Sequence, residues 1–426
     1  MSEFNFELTK EIELLRLVTV GSVDDGKSTL IGRLLVDTKG AFEDQLLAVH
    51  KKKGETHTSS AAEIDLAMLT DGLSAEREQG ITIDVAYRYF ATPKRKFIMA
   101  DCPGHEQYTR NMVTGASTAS AAIILIDARN GVMPQTKRHT HILGLLGIPH
   151  LIVAINKMDM VNFDQATFEK IKADMQAYCA KQGVKDLICI PMSALEGDMV
   201  AVRGDNMNWY EGKSLLDTLE SLSVLDDIDE KPFRMPVQLV NRPQTAELPD
   251  YRGFMGTIAS GTVKVGDEIT VLASGKTSKV ESIVAFDGNL QEAFSPQSVT
   301  ITLADEIDIS RGDMLVHTGC GLTAQKDITA RICWIGDEPL SVRKKYLIKH
   351  TTNTLKAMVA EIDYRTNIHS LEKESADELA MNDIGQVQLK LMKPMYADSY
   401  LKNRATGSFI VIDTFTNNTV GAGMIV

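Results

Sequence analysis

"GSVDDGKST" (residues 21–29) follows the apolar run "LLRLVTV" (14–20) and leads into "LIGRLL" (30–35). Gly21, Gly26, Lys27 and Ser28 satisfy G-x-x-x-x-G-K-[ST], the frame of a loop that wraps phosphates with backbone N–H groups. The run before it reads as a strand. The residues after it place Leu30, Ile31, Leu34 and Leu35 on one face of a helix. Lys27 is therefore expected to reach the terminal phosphates of a nucleotide, and the Ser28 hydroxyl to sit on Mg2+. Two adjacent carboxylates, Asp24 and Asp25, stand inside this anion-binding loop, and the frame does not explain them.

Outward from the loop, residues from about 10 to 225 alternate short apolar runs with helical stretches, the pattern of a parallel sheet covered on both faces. The strand candidates are "LRLVTV", "VAYRYF", "KFIMAD", "AAIILIDA", "LIVAINKMD" and "LICIPMSA", several ending at a polar residue. The carboxyl edge of such a sheet is where ligands bind. The helical stretch "SLLDTLESLSVL" closes this half, and a charged, proline-bearing linker, "DDIDEKPFRMP", follows. Beyond it, short alternating β-type runs punctuated by glycine suggest small antiparallel barrels. A weaker break falls near Cys320 to Gln325. The expected domains are 1–228, 229–323 and 324–426.

Four further stretches follow the loop in the order a guanine-nucleotide switch requires. "EQGITID" holds Thr82, a hydroxyl suited to Mg2+ and the γ-phosphate. "DCPGHEQY" begins with Asp101, whose carboxylate would hold the metal through water. The Gly104 N–H would meet the γ-phosphate, and His105 would position the attacking water. "NKMD" (Asn156, Lys157, Met158, Asp159) ends a strand with a carboxylate able to accept from guanine N1–H and its amine. Adenine lacks that donor pair, so this carboxylate selects GTP over ATP. In "MSAL" (192–195), Ser193 and Ala194 would complete the base site, the Ala194 N–H meeting the guanine oxygen.

The nucleotide contacts expected are thus Gly21, Ser22, Val23, Asp24, Asp25, Gly26, Lys27, Ser28 and Thr29, then Asp101, Cys102, Pro103, Gly104 and His105, and finally the base-reading residues just named. His105, Lys27 and Thr82 would carry hydrolysis, and Ser28, Thr82 and Asp101 would hold Mg2+. Val23 and Ile81 are expected to flank His105 as an apolar gate. "EGKS" (211–214) imitates a second phosphate loop, but Met207 stands at its first glycine position and no strand precedes it. It reads as the start of a helix.

Composition bounds the partners. The net charge of −12 argues against broad nucleic-acid binding. Residues 324–426 carry 13 Lys/Arg against 12 Asp/Glu, so the acidic excess lies earlier. No apolar run reaches membrane-spanning length. The N-terminus is acidic, unlike a secretory signal, and five cysteines without a C-x-x-C pair suit free thiols in a reducing cytoplasm.

The ordered motifs, and a fold class of α/β P-loop GTPase domain (mostly parallel sheet) followed by two antiparallel β-barrel domains, are similar to the translational elongation factors. Those factors usually carry histidine where Asp25 sits. "GSVDDGKS", "DGLSAEREQGITIDVAYRYF", "FRMPVQLVNRP", "YRGFMGTIASG" and "DEIDISRGDML" instead resemble the GTPase (large) subunits of bacterial ATP sulfurylase, over nearly the whole chain and most strongly from 14 to 160. The resemblance implies GTP and Mg2+ as ligands and a small catalytic subunit as partner, in a heterodimer or higher assembly. That partner makes adenosine 5′-phosphosulfate from ATP and sulfate, an uphill step that this subunit couples to GTP hydrolysis. No H-x-G-H nucleotidyl-transfer motif is present. Cys102 departs from the threonine of the family's D-T-P-G-H but leaves D-x-x-G intact. An elongation factor delivering aminoacyl-tRNA is the alternative; a GTP sensor without hydrolysis is disfavoured by His105. Within the opening loop, Asp24 is expected to brace the backbone and Asp25 to face a partner or the second switch.

Overall fold

The computed structural model describes residues 14–38, 66, 84–184, 187–223, 231–243 and 251–426. The chain forms two compact units that part at Val224–Leu225, with Ile368–Leu371 belonging to the first.

The first unit is built on a six-stranded sheet of order β2-β3-β1-β4-β5-β6. Its strands are β1 (Leu14–Val20), β2 (Ala86–Ala91), β3 (Lys96–Asp101), β4 (Ala121–Asp127), β5 (His150–Asn156) and β6 (Leu187–Pro191). Only the β2–β3 pair is antiparallel. All seven residues of β4 are buried, as a central strand covered on both faces requires. The helices are α1 (Lys27–Asp37), α2 (Thr109–Ala116), α3 (Pro134–Leu145), α4 (Gln165–Ala180) and α5 (Leu215–Ser221). Leu30, Ile31, Leu34 and Leu35 of α1 are all buried. The register sets the site: Thr19 lies level with Asp101, and Asp127 level with Asn156. The polar ends of four strands therefore come together at one sheet edge. Ser214 caps α5, its hydroxyl accepting from Asp217 N–H at 3.2 Å, so "EGKS" starts a helix.

The second unit holds two antiparallel arrays. One orders its strands β7-β16-β11-β12-β15-β9-β8, with β13 beside β12. These are β7 (Arg234–Pro236), β8 (Leu239–Asn241), β9 (Gly253–Thr257), β11 (Glu268–Val271), β12 (Thr277–Ala285), β13 (Gly288–Leu290), β15 (Ser298–Leu303) and β16 (Met314–His317), and a small pair, β10 (Thr262–Lys264) with β14 (Glu292–Phe294), lies apart from that path. An Arg234–Ser260 bridge brings β7 back past the end of β9 and closes the barrel. The other array joins β17 (Ala324–Trp334), β19 (Lys345–His350), β20 (Asn353–Thr366), β21 (Lys373–Glu374), β23 (Ile384–Tyr396), β24 (Ser408–Asp413) and β25 (Thr419–Ile425), and β18 (Leu340–Ser341) pairs apart with β22 (Glu378–Leu379). Strand β19 pairs with both β20 and β24, which closes the second barrel.

Each barrel has its own apolar core, one around Phe233, Phe254 and Ile283, the other around Trp334, Tyr346 and Phe409. A polar link joins them. Arg234, 2% exposed, donates from Nε and Nη2 to the two oxygens of Asp398 at 3.1 and 3.2 Å. Thr406 donates to the same carboxylate at 2.6 Å, and Asn403 reaches Ser260 at 2.8 Å. A buried pair survives this way because its remaining hydrogen-bonding capacity is met. Among the described residues no helix is long and apolar enough to cross a membrane.

Candidate nucleotide site

The loop from Gly21 to Ser28 leaves β1 and turns into α1. Gly26 caps the helix in the left-handed region, at φ 94°, and a Cβ there would strike the Asn156 side chain. Only glycine fits. The first turn of α1 thus opens with unpaired N–H groups and the positive end of the helix dipole, a ready seat for anions. Lys27 is 7% exposed, and its Nζ donates to Gly21 O at 3.1 Å and Ser22 O at 2.7 Å. Burial pushes this ammonium below its ordinary pKa, while Asp101 and Asp25 pull it back. A phosphate chain would supply further counter-charge.

The second motif lies against this loop. A Cβ on Gly104 would come within 2.7 Å of both Gly21 O and Lys27 Nζ, so the D-x-x-G turn and the phosphate loop touch. Asp101 is 3% exposed and its Oδ1 accepts from Thr19 Oγ1 at 3.3 Å. Cys102 is fully buried, and that burial pushes its thiol well up, so it serves packing and no thiolate chemistry. Pro103 and Gly104 are buried and His105 is exposed. The His105 ring lies edge-on to Tyr108 at 6.1 Å, and its Nδ1 accepts from Gln107 N–H at 3.4 Å. Ser28 and Thr29 are half-buried in the first turn of α1, and Val23 is 39% exposed. Thr82 and Ile81 lie outside the described residues. Hydroxyl and carboxylate oxygens are the hard donors Mg2+ takes when phosphate oxygens complete its shell. Ser28 and Asp101 fit that chemistry.

The stretches expected to read the base meet at the same edge. Asn156 ties three segments together: its Nδ2 donates to Asp25 O at 2.8 Å, and its Oδ1 accepts from Ala194 N–H at 2.9 Å. That Ala194 N–H thus has an internal partner, which a guanine oxygen would have to share. Lys157, at φ 62°, donates to Asp24 O and lies 3.1 Å from Asp127. Met158 and Ser193 are fully buried, the Ser193 hydroxyl accepting from Glu196 N–H at 3.2 Å. Asp159 Oδ1 is buried without a hydrogen-bond partner among the described residues. An orphaned carboxylate oxygen is costly unless a ligand supplies donors, and guanine presents two on one edge.

The structure reverses the roles expected for the two loop aspartates. Asp24 is exposed, with φ 66°, while Asp25 is 3% exposed and its Oδ2 accepts from Ser22 N–H at 2.6 Å. Asp25, not Asp24, braces the loop from inside, and it does not face outward. The left-handed turn at Asp24 is what swings the next side chain inward.

Other residues had weak or no sequence signal. Arg33, on α1, donates from Nε to Ala194 O at 3.2 Å and from Nη2 to Leu195 O, anchoring the "SAL" turn to the phosphate helix. Arg129 grips Asp127 with bonds of 2.6 to 3.2 Å. Burial would raise the Asp127 carboxyl, but its bonds to Arg129 and Lys157 outweigh that and hold it at about 2. Asp127 ended a strand candidate, a position that could have flagged it; Arg33 had no such mark.

Three family models match the chain: "Elongation factor Tu GTP binding domain" over residues 12–231, "Elongation factor Tu domain 2" over 254–316, and "GTP-eEF1A C-terminal domain-like" over 327–426. Fold and site therefore define a GTPase of the translation-factor type. Proteins named sulfate adenylyltransferase subunit 1 from Saccharophagus degradans, Cellvibrio japonicus and Bacteroides fragilis are 56%, 54% and 51% identical to it. Each alignment covers 97% of this chain, and 87%, 87% and 86% of the respective relative. The chain belongs to the sulfate adenylyltransferase subunit 1 family.

Proposed function

We propose that the chain binds GTP with Mg2+, hydrolyses it, and couples that hydrolysis to the synthesis of adenosine 5′-phosphosulfate from ATP and sulfate by a small catalytic subunit. The observation that carries the guanine reading is the buried, partnerless Asp159 Oδ1 on the same sheet edge as Lys27. The loop N–H groups and Lys27 hold the β- and γ-phosphates. Ser28, Thr82 and Asp101 would hold Mg2+, which would screen charge on the phosphate oxygens. His105 orients water, its Nδ1 bond to Gln107 N–H leaving Nε2 for that task. Asp159 reads the base, and Asn156 and Arg33 keep the base-reading turns against the loop.

The sulfate half of the reading rests on the names of the relatives, and "subunit 1" implies a partner. It also rests on the sequence itself, in which no H-x-G-H motif appears. We place the domain boundaries at 228/229 and 323/324 and the protein in the cytoplasm, where five cysteines outside any disulfide persist as thiols.

The test is reconstitution. Alone, the chain hydrolyses GTP slowly and forms no adenosine 5′-phosphosulfate. With the small subunit GTP turnover rises, because a partner that orders switch segments completes the site. Tight binding of aminoacyl-tRNA by the GTP form, with no response to the small subunit, selects the elongation-factor alternative.

A further inference from the structure

Asp25 is a charged group where a polyanion-binding loop has least use for one. Its carboxylate is buried, and among the described residues the hydrogen bond that holds it comes from one neutral donor, Ser22 N–H. One such bond does not offset the cost of burying a charge. Burial accordingly pushes the Asp25 carboxyl above the ordinary range, Lys27 and Lys157 opposing and Asp127 adding to the rise. The groups that face it are thus Lys27 of α1, Asp127 at the end of β4 and Lys157 beyond β5. Asp127 is already engaged by Arg129. Lys27 Nζ donates to Gly21 O and Ser22 O, beside the Gly21 position where Asp25 Oδ2 also lies, and the charges of Asp101 and Asp25 both act on this ammonium. The one ammonium in the loop is thus under the influence of two carboxylates before any phosphate arrives.

We propose that Asp25 sets nucleotide affinity: its buried negative charge competes with the phosphates for Lys27, so that guanine nucleotides are held loosely and GDP leaves quickly. The inference rests on the reading that this loop binds GTP and deepens it. Bracing and charge are separable. An amide at position 25 can still accept from Ser22 N–H but carries no charge, whereas a methyl side chain can do neither.

The test measures equilibrium affinity and release rate for GTP, GDP and GMP with the wild-type chain, Asp25→Asn and Asp25→Ala. A charge effect scales with ligand charge; a purely structural brace does not. Asp25→Asn is expected to tighten GDP by about tenfold, mainly through slower release, with a larger gain for GTP and a smaller one for GMP. Asp25→Ala gains in the same order but less, since it also loses the brace. Equal or weaker GDP binding by Asp25→Asn overturns the inference, as does a gain that is the same for all three nucleotides. If neither variant folds, Asp25 is structural and the inference also falls. A folded wild-type chain that binds no guanine nucleotide overturns both this inference and the reading beneath it, whereas binding without a charge-graded gain removes the inference alone.

Discussion

On the function we propose, base choice is decided at Asp159. Its buried Oδ1 has no hydrogen-bond partner among the described residues, and a bound guanine would provide the donor. Asp159→Asn replaces an acceptor with a donor and should move preference from guanosine to xanthosine triphosphate, read by competition binding. Unchanged preference for GTP would put base recognition elsewhere. His139 carries a second prediction at this scale. It is fully buried on α3, its Nδ1 has no hydrogen-bond partner among the described residues, and burial, with Lys27 and Arg138 adding to it, lowers its pKa to about 3. The unfolded chain takes up this proton near the ordinary histidine value and the folded chain does not. Stability from this group is therefore full above about pH 6.5 and falls, by about 1.4 kcal/mol per pH unit, as the pH drops toward 3. Unfolding measured at pH 7 and pH 5 should show a shallower loss for His139→Gln than for wild type. Equal slopes would remove His139 as a source of acid sensitivity.

At the scale of elements, the site is a meeting of strand ends and turns. Spacing made much of this legible. The glycine frame of the loop, the D-x-x-G turn and the strand ending in Asn156 each carry their chemistry within a few residues, and alternating apolar runs marked the strands that present them. What spacing could not reveal was direction and distant partnership. Asp24 and Asp25 are adjacent, and only the left-handed backbone at Asp24 decides which carboxylate turns inward. Arg33 meets Ala194 across 161 residues, a contact created by the sheet order and invisible in either segment. The second-switch turn supplies the prediction here. Gly104 fixes the turn against the phosphate loop, while His105 beside it is exposed and free of core packing. His105→Ala should slow hydrolysis by about ten- to a thousandfold with nucleotide affinity almost unchanged. Wild-type turnover of that variant in the presence of the small subunit would take His105 out of the mechanism.

Across the whole molecule, one α/β unit carries the nucleotide chemistry and a second unit of two barrels carries none of the motifs. The barrels were legible as a change of texture, from long apolar runs to short alternating ones broken by glycine. The link that joins them, Arg234 with Asp398, was not, because its halves lie 164 residues apart. The relatives' name ties this architecture to sulfate activation, and the central claim is that GTP hydrolysis supplies energy to that reaction. The most direct measurement is the yield of adenosine 5′-phosphosulfate by the reconstituted complex from ATP and sulfate, with GTP or with a non-hydrolysable GTP analogue. With GTP, product should rise above the equilibrium set by ATP and sulfate alone, only while GTP is being consumed, and the analogue should give no excess. An equal excess with the analogue would contradict it.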